Sequence, residues 1–380
     1  MSRTGTQSTP AFTKLRLRTA KGLTERDVST APPRECSMEE VPVIDLSAMF
    51  GDLNARKGLA ETVCHAAENT GFFYIKNHGI NERVAEAAQA QARDFFHQKD
   101  EEKAKVARTK SRYFNGWHRR KGTSLGSSAS LDDMEQFSCC YNPDYDPEVI
   151  DLAAIPDDTR AQLPAESFIW EGTEHLPHFQ RDCIRYWQES LQLARRLLRI
   201  FALSLNLPET YFDNVTTCPG SDLAFNYYPG RARMDDSTSP IQDVGLGSHT
   251  DLQCFTILWQ DMVGGLQVLM SDGHWVKAPP IPGTFVVNIG DYLMRLTNDR
   301  FKSTVHRVYM RTSIDRYSMP FFFGFNPSET CAVLPSCTSK KNPPKYEPIS
   351  CGEVSFPSPP YGRSSMFIFT CGCCGADMPF

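Results

Sequence analysis

Apolar residues recur at helical spacing in three stretches of the first half of the chain. Leu59, Val63 and Ala67 mark one face of a helix from about 55 to 69 that stops near Gly71. Asn81 is placed to cap a second helix, on which Val84, Ala88, Ala92, Phe95 and Phe96 form the apolar stripe. The longest runs from about 178 to 205, with Phe179, Cys183, Trp187, Leu191, Ala194, Leu198 and Leu205 along one side. Between the first two, Phe72–Lys76 reads as a buried strand. From Asp222 onward the pattern changes to short strands and turns. Phe255-Thr256-Ile257-Leu258-Trp259 is β-branched and aromatic, and Thr284–Asn288 reads as a strand followed by a Gly290-Asp291 turn.

Other stretches carry no such pattern. Residues 1–38 scatter Ser, Thr, Gly and Pro without apolar periodicity and read as a disordered N-terminal extension. Arg3, Lys14, Arg16, Arg18 and Lys21 precede the first acidic residue, Glu25, a balance only faintly like a transit peptide. A stretch rich in Gly, Ser and Tyr between 110 and 147 reads as a loop. Residues 351–380 form an atypical Pro- and Cys-rich tail. Its Phe356-Pro357-Ser358-Pro359-Pro360 excludes a helix, because each proline removes a donor and blocks the preceding turn. Cys371-Gly372-Cys373-Cys374 near the end reads as an oxidisable tail rather than a soft-metal site.

Composition narrows the class. Hydrophobic residues at 41% of the 380 supply an ample core. A net charge of −5, with no basic run interleaved with aromatics, argues against a nucleic-acid face. No apolar run approaches the length needed to span a bilayer. The thirteen cysteines show no paired metal spacing in the body of the chain. Without a signal peptide, a cytoplasmic enzyme with free thiols is expected. Nothing points to an obligatory protein partner.

The chemistry is carried by His249-Thr250-Asp251, followed by His306 and Arg316-Tyr317-Ser318. Two imidazoles and a carboxylate can hold Fe(II) on one face and leave the opposite positions open. Residues i and i+2 of a strand share a face, so His249 and Asp251 are expected to converge while Thr250 faces away. Among nine histidines an isolated His-x-Asp is a weak motif; the cation ten residues after His306 strengthens it. An arginine there can grip a carboxylate through two parallel, charge-assisted contacts.

An ordered series extends these residues. Asn226-Tyr227-Tyr228-Pro229, His249-Thr250-Asp251, Gly264-Gly265-Leu266-Gln267-Val268, Asn288-Ile289-Gly290-Asp291, Ser303–Val308 and Arg316-Tyr317-Ser318 follow one another. Val41–Leu46 and Gly71–Ile80 add to them. The series resembles the Fe(II)/2-oxoglutarate-dependent dioxygenases related to isopenicillin N synthase, over about residues 40 to 350. The resemblance implies a mixed α/β chain with a mainly β core, a distorted double-stranded β-helix (jelly roll) braced by N-terminal and central helices. It divides the chain into an N-terminal helical and strand region, 39–178, with a lid loop at 110–147, and a core at 179–350 that opens on the long helix.

The resemblance also implies roles. His249, Asp251 and His306 would hold Fe(II), and Arg316, Ser318, Tyr228 and Asn226 would bind 2-oxoglutarate, with O2 as oxidant. A small-molecule substrate would be oxidised at a C–H bond by hydroxylation, desaturation or ring formation, in secondary metabolism. Tyr113, Phe114, Trp117, His118, Phe225 and Phe323 are candidates to line its pocket. One rival is an oxidase like isopenicillin N synthase, in which a substrate carboxylate occupies the arginine clamp. The other is a non-catalytic binding protein on the same fold.

Overall fold

The computed structural model describes residues 11–19, 22–121, 133–149, 151–155, 157–161, 163, 165–230, 244–310 and 312–352. Its strands, in chain order, are β1 (Phe12–Thr19), β2 (Gly22–Ser29), β3 (Arg34–Glu35), β4 (Val43–Asp45), β5 (Phe72–Lys76), β6 (Gly116–Lys121), β7 (Asp133–Cys140), β8 (Ser221–Tyr228) and β9 (Val244–His249). They continue with β10 (Phe255–Gln260), β11 (Leu266–Leu269), β12 (Trp275–Lys277), β13 (Phe285–Ile289), β14 (His306–Tyr309), β15 (Arg316–Phe323), β16 (Thr330–Cys331) and β17 (Ile349–Ser350). Eight strands form one sheet in the order β4-β5-β13-β10-β15-β8-β7-β6, and five form a second in the order β3-β12-β11-β14-β9.

Side-chain alternation gives each strand of the large sheet two faces. On β15, Tyr317, Met319, Phe321 and Phe323 join a core shared with the helices. Arg316, Ser318, Pro320 and Phe322 therefore face the other way. That inner face meets the small sheet: Phe72, Tyr74 and Val286 pack with Leu266, Val268, Val276 and Ala278. Met134 and Tyr228 likewise pack with Leu246, Val308 and Met310. Burying one large apolar side chain contributes about 1.5–3 kcal/mol. A one-residue slip of β15 would drive Arg316 into the aromatic layer and turn four such residues onto the polar inner face, so its register is firmly set.

Helices cover the outer face. Leu53–Asn69 is capped by Asp52, whose carboxylate accepts from the Ala55 amide at 2.9 Å. Asn81 caps Glu82–Phe96 in the same way through the Arg83 amide. The long helix Phe179–Ser204 buries Phe179, Cys183, Trp187, Leu191, Ala194, Leu198 and Phe201. Its Trp187 lies 6.5 Å from Phe321 and its Phe201 5.2 Å from Phe255, ring centre to ring centre.

The fold differs from expectation in several places. The extension expected to be disordered contains a hairpin: β1 pairs with β2 from Phe12↔Ser29 to Thr19↔Gly22. Leu17 and Val28 bury themselves against Leu269, Trp275 and Val305, an apolar patch that two isolated residues at strand spacing can cover. The stretch 110–147 holds β6 and β7, which add to the free edge of β8; residues 122–132 of the expected lid lie outside the described residues. The N-terminal region and the core thus share one sheet. Asp291 does not end a turn but opens a short helix, Asp291–Leu296. Of the tail, 353–380 lie outside the described residues.

Candidate active site

His249 ends β9 and His306 begins β14, and the two are directly paired across the strands. Their rings lie 4.3 Å apart, centre to centre. Asp251 sits just past the end of β9 rather than within it, yet its Oδ1 lies 3.7 Å from Nε2 of each histidine. One ligand atom from each residue falls within 4.8 Å of the others, all three residues being buried. His249 Nδ1 donates to the Gly247 carbonyl at 2.8 Å and His306 Nδ1 to that of Thr304 at 3.1 Å. A carbonyl only accepts, so both Nδ1 atoms carry the proton and both Nε2 lone pairs point inward.

Asp251 divides its oxygens. Oδ2 accepts from Thr256 Oγ1 and from Asn288 Nδ2, the latter at 2.7 Å. Oδ1, fully buried, has no hydrogen-bond partner. Burial works to raise the Asp251 pKa, but His306, His249 and the bonds from Asn288 and Thr256 outweigh it and hold the carboxyl below its ordinary value. Burial, with the neighbouring His249, pushes His306 down to about 4 against the pull of Asp251. An ionised carboxylate with a bare buried oxygen and two inward imidazole lone pairs fit a divalent first-row metal. The bare oxygen is the observation that asks for one.

Arg316 is 1% exposed at the start of β15. Its Nη1 donates to Ser318 Oγ at 3.1 Å and its Nη2 to Gln260 Oε1 at 3.2 Å, while Nε has no partner. Its Cζ lies 4.9 Å from the centre of the Tyr228 ring. Among the described residues no carboxylate pairs with it. The neighbouring Asp261 carboxyl accepts from the Tyr317 and Val263 amides, and burial raises its pKa against those bonds and the nearby Arg316 charge. A buried guanidinium whose hydrogen-bond partners, Ser318 and Gln260, are both neutral favours an incoming anion. The register sets four polar side chains in one row across the inner face: Gln136, Asn226, Ser318 and Gln260 on β7, β8, β15 and β10. Gln136 Nε2 donates to Asn226 Oδ1 at 2.9 Å.

The expected pocket residues separate. Phe225 and Phe323 belong to the helix-facing core, against Phe137 and Phe255, so strand alternation takes both away from the cluster of His249, Asp251 and His306. Trp117 also faces the helices, donating from Nε1 to Glu135 Oε2 at 2.8 Å beneath the Lys103 ammonium. Phe114, at φ 67°, lies under the Arg108 guanidinium. Tyr113 is half-buried, its carbonyl accepting from Cys140 Sγ. His118 alternates with Trp117 and stands opposite Gln136, on the inner face. Thr256, Gln260, Asn288 and Gln136 were missed. The available signal was a polar residue recurring at even spacing inside an otherwise apolar strand, as in Phe255–Gln260.

Comparison with known proteins points the same way. The sequence profile of the 2OG-Fe(II) oxygenase superfamily matches residues 219–325, and that of the N-terminal region of non-haem dioxygenases in morphine synthesis matches 41–166. A 2-oxoglutarate-Fe(II) type oxidoreductase of Metarhizium majus is 43% identical over 353 residues, 92% of this chain and 94% of that protein. Feruloyl CoA ortho-hydroxylase 2 of Arabidopsis thaliana is 32% identical over 318 residues, covering 83% and 78%. Among solved structures, a full-length Neurospora crassa protein in complex with alpha-KG and thymine superposes with a TM-score of 0.70 at 27% identity, covering 83% of this chain and 94% of that one.

Proposed function

The chain belongs to the 2OG-Fe(II) oxygenase superfamily and is a Fe(II)- and 2-oxoglutarate-dependent dioxygenase, in which we propose that His249, Asp251 and His306 hold the iron and Arg316 binds the co-substrate. The observation that carries this assignment is a pair of unmet demands on one inner face. Among the described residues, Asp251 Oδ1 has no hydrogen-bond partner, and the Arg316 guanidinium hydrogen-bonds to neutral groups and to no carboxylate.

Each residue has a definable task. Thr256 and Asn288 hold Asp251 Oδ2, which turns Oδ1 toward the histidines. The Gly247 and Thr304 carbonyls fix both imidazole tautomers. Arg316 and Ser318 receive the far carboxylate of 2-oxoglutarate against the Tyr228 ring, and Asn226 lies one strand over in the same row. Met134, Leu246, Val308 and Met310 keep water from that end, which strengthens the charge contact. Gly245 leaves space for Tyr228, since a Cβ there would lie 2.8 Å from its ring. Bound iron and 2-oxoglutarate together supply oxidative decarboxylation to succinate and carbon dioxide and an oxidant able to attack a C–H bond.

The substrate is a small molecule, a reading supported by the thymine complex, and the likeness to fungal oxidoreductases favours a place in secondary metabolism. Oxygen uptake and succinate formation should both require Fe(II) and 2-oxoglutarate. Uptake that proceeds with substrate but without 2-oxoglutarate would establish the oxidase chemistry instead.

A further inference from the structure

Resting on that reading, we propose that Asp291 is a positioning residue for the metal site. Through Thr250 and through its own amide it aims the Asp251 carboxylate at His249 and His306. β9 ends at His249 and β10 starts at Phe255, so residues 250–254 lie outside both strands. The segment that runs from the end of β13 into the short helix holds this turn instead. The amides of Gly290, Asp291 and Tyr292 donate to the carbonyls of Cys254, Asp251 and Leu252 at 2.8, 2.7 and 3.0 Å. Gly290 permits the approach, because a Cβ there would lie 2.1 Å from the Gln253 carbonyl oxygen and 3.2 Å from that of Asp251.

Asp291 grips the turn twice. Its amide holds the Asp251 carbonyl, and its Oδ2 accepts from Thr250 Oγ1 at 3.2 Å. Both side chains are buried, so water competes little for the bond. The two contacts bracket the backbone torsions between Thr250 and Asp251, and those torsions decide where the Asp251 side chain points. Its Oδ1 lies 3.7 Å from Nε2 of each histidine, and a functional site tolerates only about 0.5 Å of error. Thr256 and Asn288 hold the far oxygen, at the end of a rotatable side chain. Asp291 fixes its root.

The same segment reaches the supports of His306. The Ile289 amide donates to the Gly71 carbonyl at 2.9 Å, and the ring of the next residue, Phe72, meets that of His306 edge-on at 5.3 Å. The Thr70 carbonyl accepts from Thr304 Oγ1, and the Thr304 carbonyl orients the His306 ring. Residues 288–291 thus stand between the supports of two proposed ligands. A bond that only steadied the short helix would serve stability alone. One that sets ligand geometry also changes how a metal is held.

Titration of the full-length protein with cobalt(II) tests this, since the visible spectrum of that ion reports the arrangement of its ligands. Thr250→Val keeps the shape of the side chain and loses the hydroxyl. It should bind cobalt about 10–100-fold more weakly, the usual loss on removing an outer partner of a ligand, and with a shifted spectrum. Thr250→Ser keeps a hydroxyl and should restore both affinity and spectrum. Asp291→Ala should weaken binding at least as much as Thr250→Val, and adding Thr250→Val to it should cost nothing further, because both break one bond. The two break it from opposite ends, so one that does not fold leaves the other decisive. Wild-type affinity and spectrum in a folded single variant, even with a lower unfolding midpoint, overturns the proposal. So does failure of serine to restore them, or additive losses in the double variant. A wild-type protein that takes up no cobalt, or an Asp251→Ala variant that takes it up as tightly, overturns the ligand assignment instead.

Discussion

Asp251 gives one oxygen to its neighbours and keeps one bare, and the two halves can be tested apart. Asp251→Ala removes the only anionic member of the proposed ligand set and should abolish tight Fe(II) uptake in an anaerobic titration. Asn288→Ala leaves the proposed ligands intact but frees Oδ2, the oxygen turned away from the histidines. Loss of such an outer partner typically costs roughly 10–100-fold in metal affinity, and the same titration should show it. At the other end of the row, Arg316→Leu should weaken 2-oxoglutarate by a hundredfold or more, from about 3–5 kcal/mol for a broken buried pair. Gln260→Glu is the sharper variant. A carboxylate 3.2 Å from Nη2 would satisfy the arginine internally, so 2-oxoglutarate should bind at least tenfold more weakly while the protein melts no lower than wild type. Equal 2-oxoglutarate affinity in Gln260→Glu would show that the guanidinium is not the anchor. The sequence announced Asp251 and Arg316 by residue type and spacing. Gln260 and Asn288 stayed hidden because glutamine and asparagine have many structural uses, and only the pairing of β10 with β13 and β15 reveals what they touch.

Single elements show where periodicity sufficed and where it did not. The three long helices were legible, since their apolar stripes answer to one core and their caps are local. The edge strands β6 and β7 were not, because Trp117 and Phe137 read equally well as loop aromatics until β8 supplies an edge. Phe225 and Phe323 were placed on the wrong face for a related reason. Alternation states that neighbours oppose, not which of the two faces the helices. The pair β6–β7 is pinned by a buried ion pair, Lys103 Nζ to Glu135 Oε2 at 2.6 Å, with Trp117 donating to the same oxygen. Glu135→Ala leaves the ammonium with the exposed Asp100 as its remaining carboxylate and should cost about 3 kcal/mol in denaturant unfolding. Trp117→Ala should lower stability and reduce substrate turnover and 2-oxoglutarate decarboxylation in proportion. A selective loss of substrate turnover would instead put Trp117 in the pocket.

Over the molecule as a whole, the N-terminal hairpin closes the outside of the small sheet. The Ser29 amide donates to the Gly273 carbonyl at 2.8 Å, and Leu17 and Val28 cover Trp275, Leu269 and Val305, the residue before His306. Removing residues 1–30 should cost about 3–6 kcal/mol from the two lost apolar burials, read as a lower unfolding midpoint. An unchanged midpoint would mean that the hairpin only rests on the surface. Among the described residues no helix is long and apolar enough to cross a membrane. The direct pairing of His249 with His306 has a consequence for how the protein is made. While the ribosome is still adding residues, the first histidine and Asp251 emerge without their third companion. That companion arrives only with β14, and β14 must then find β9 across an intervening stretch that folds into both sheets, a slow non-local closure. On the proposed ligand set, iron should therefore be captured by the completed chain and not by the nascent one, and its capture would tie β9 to β14.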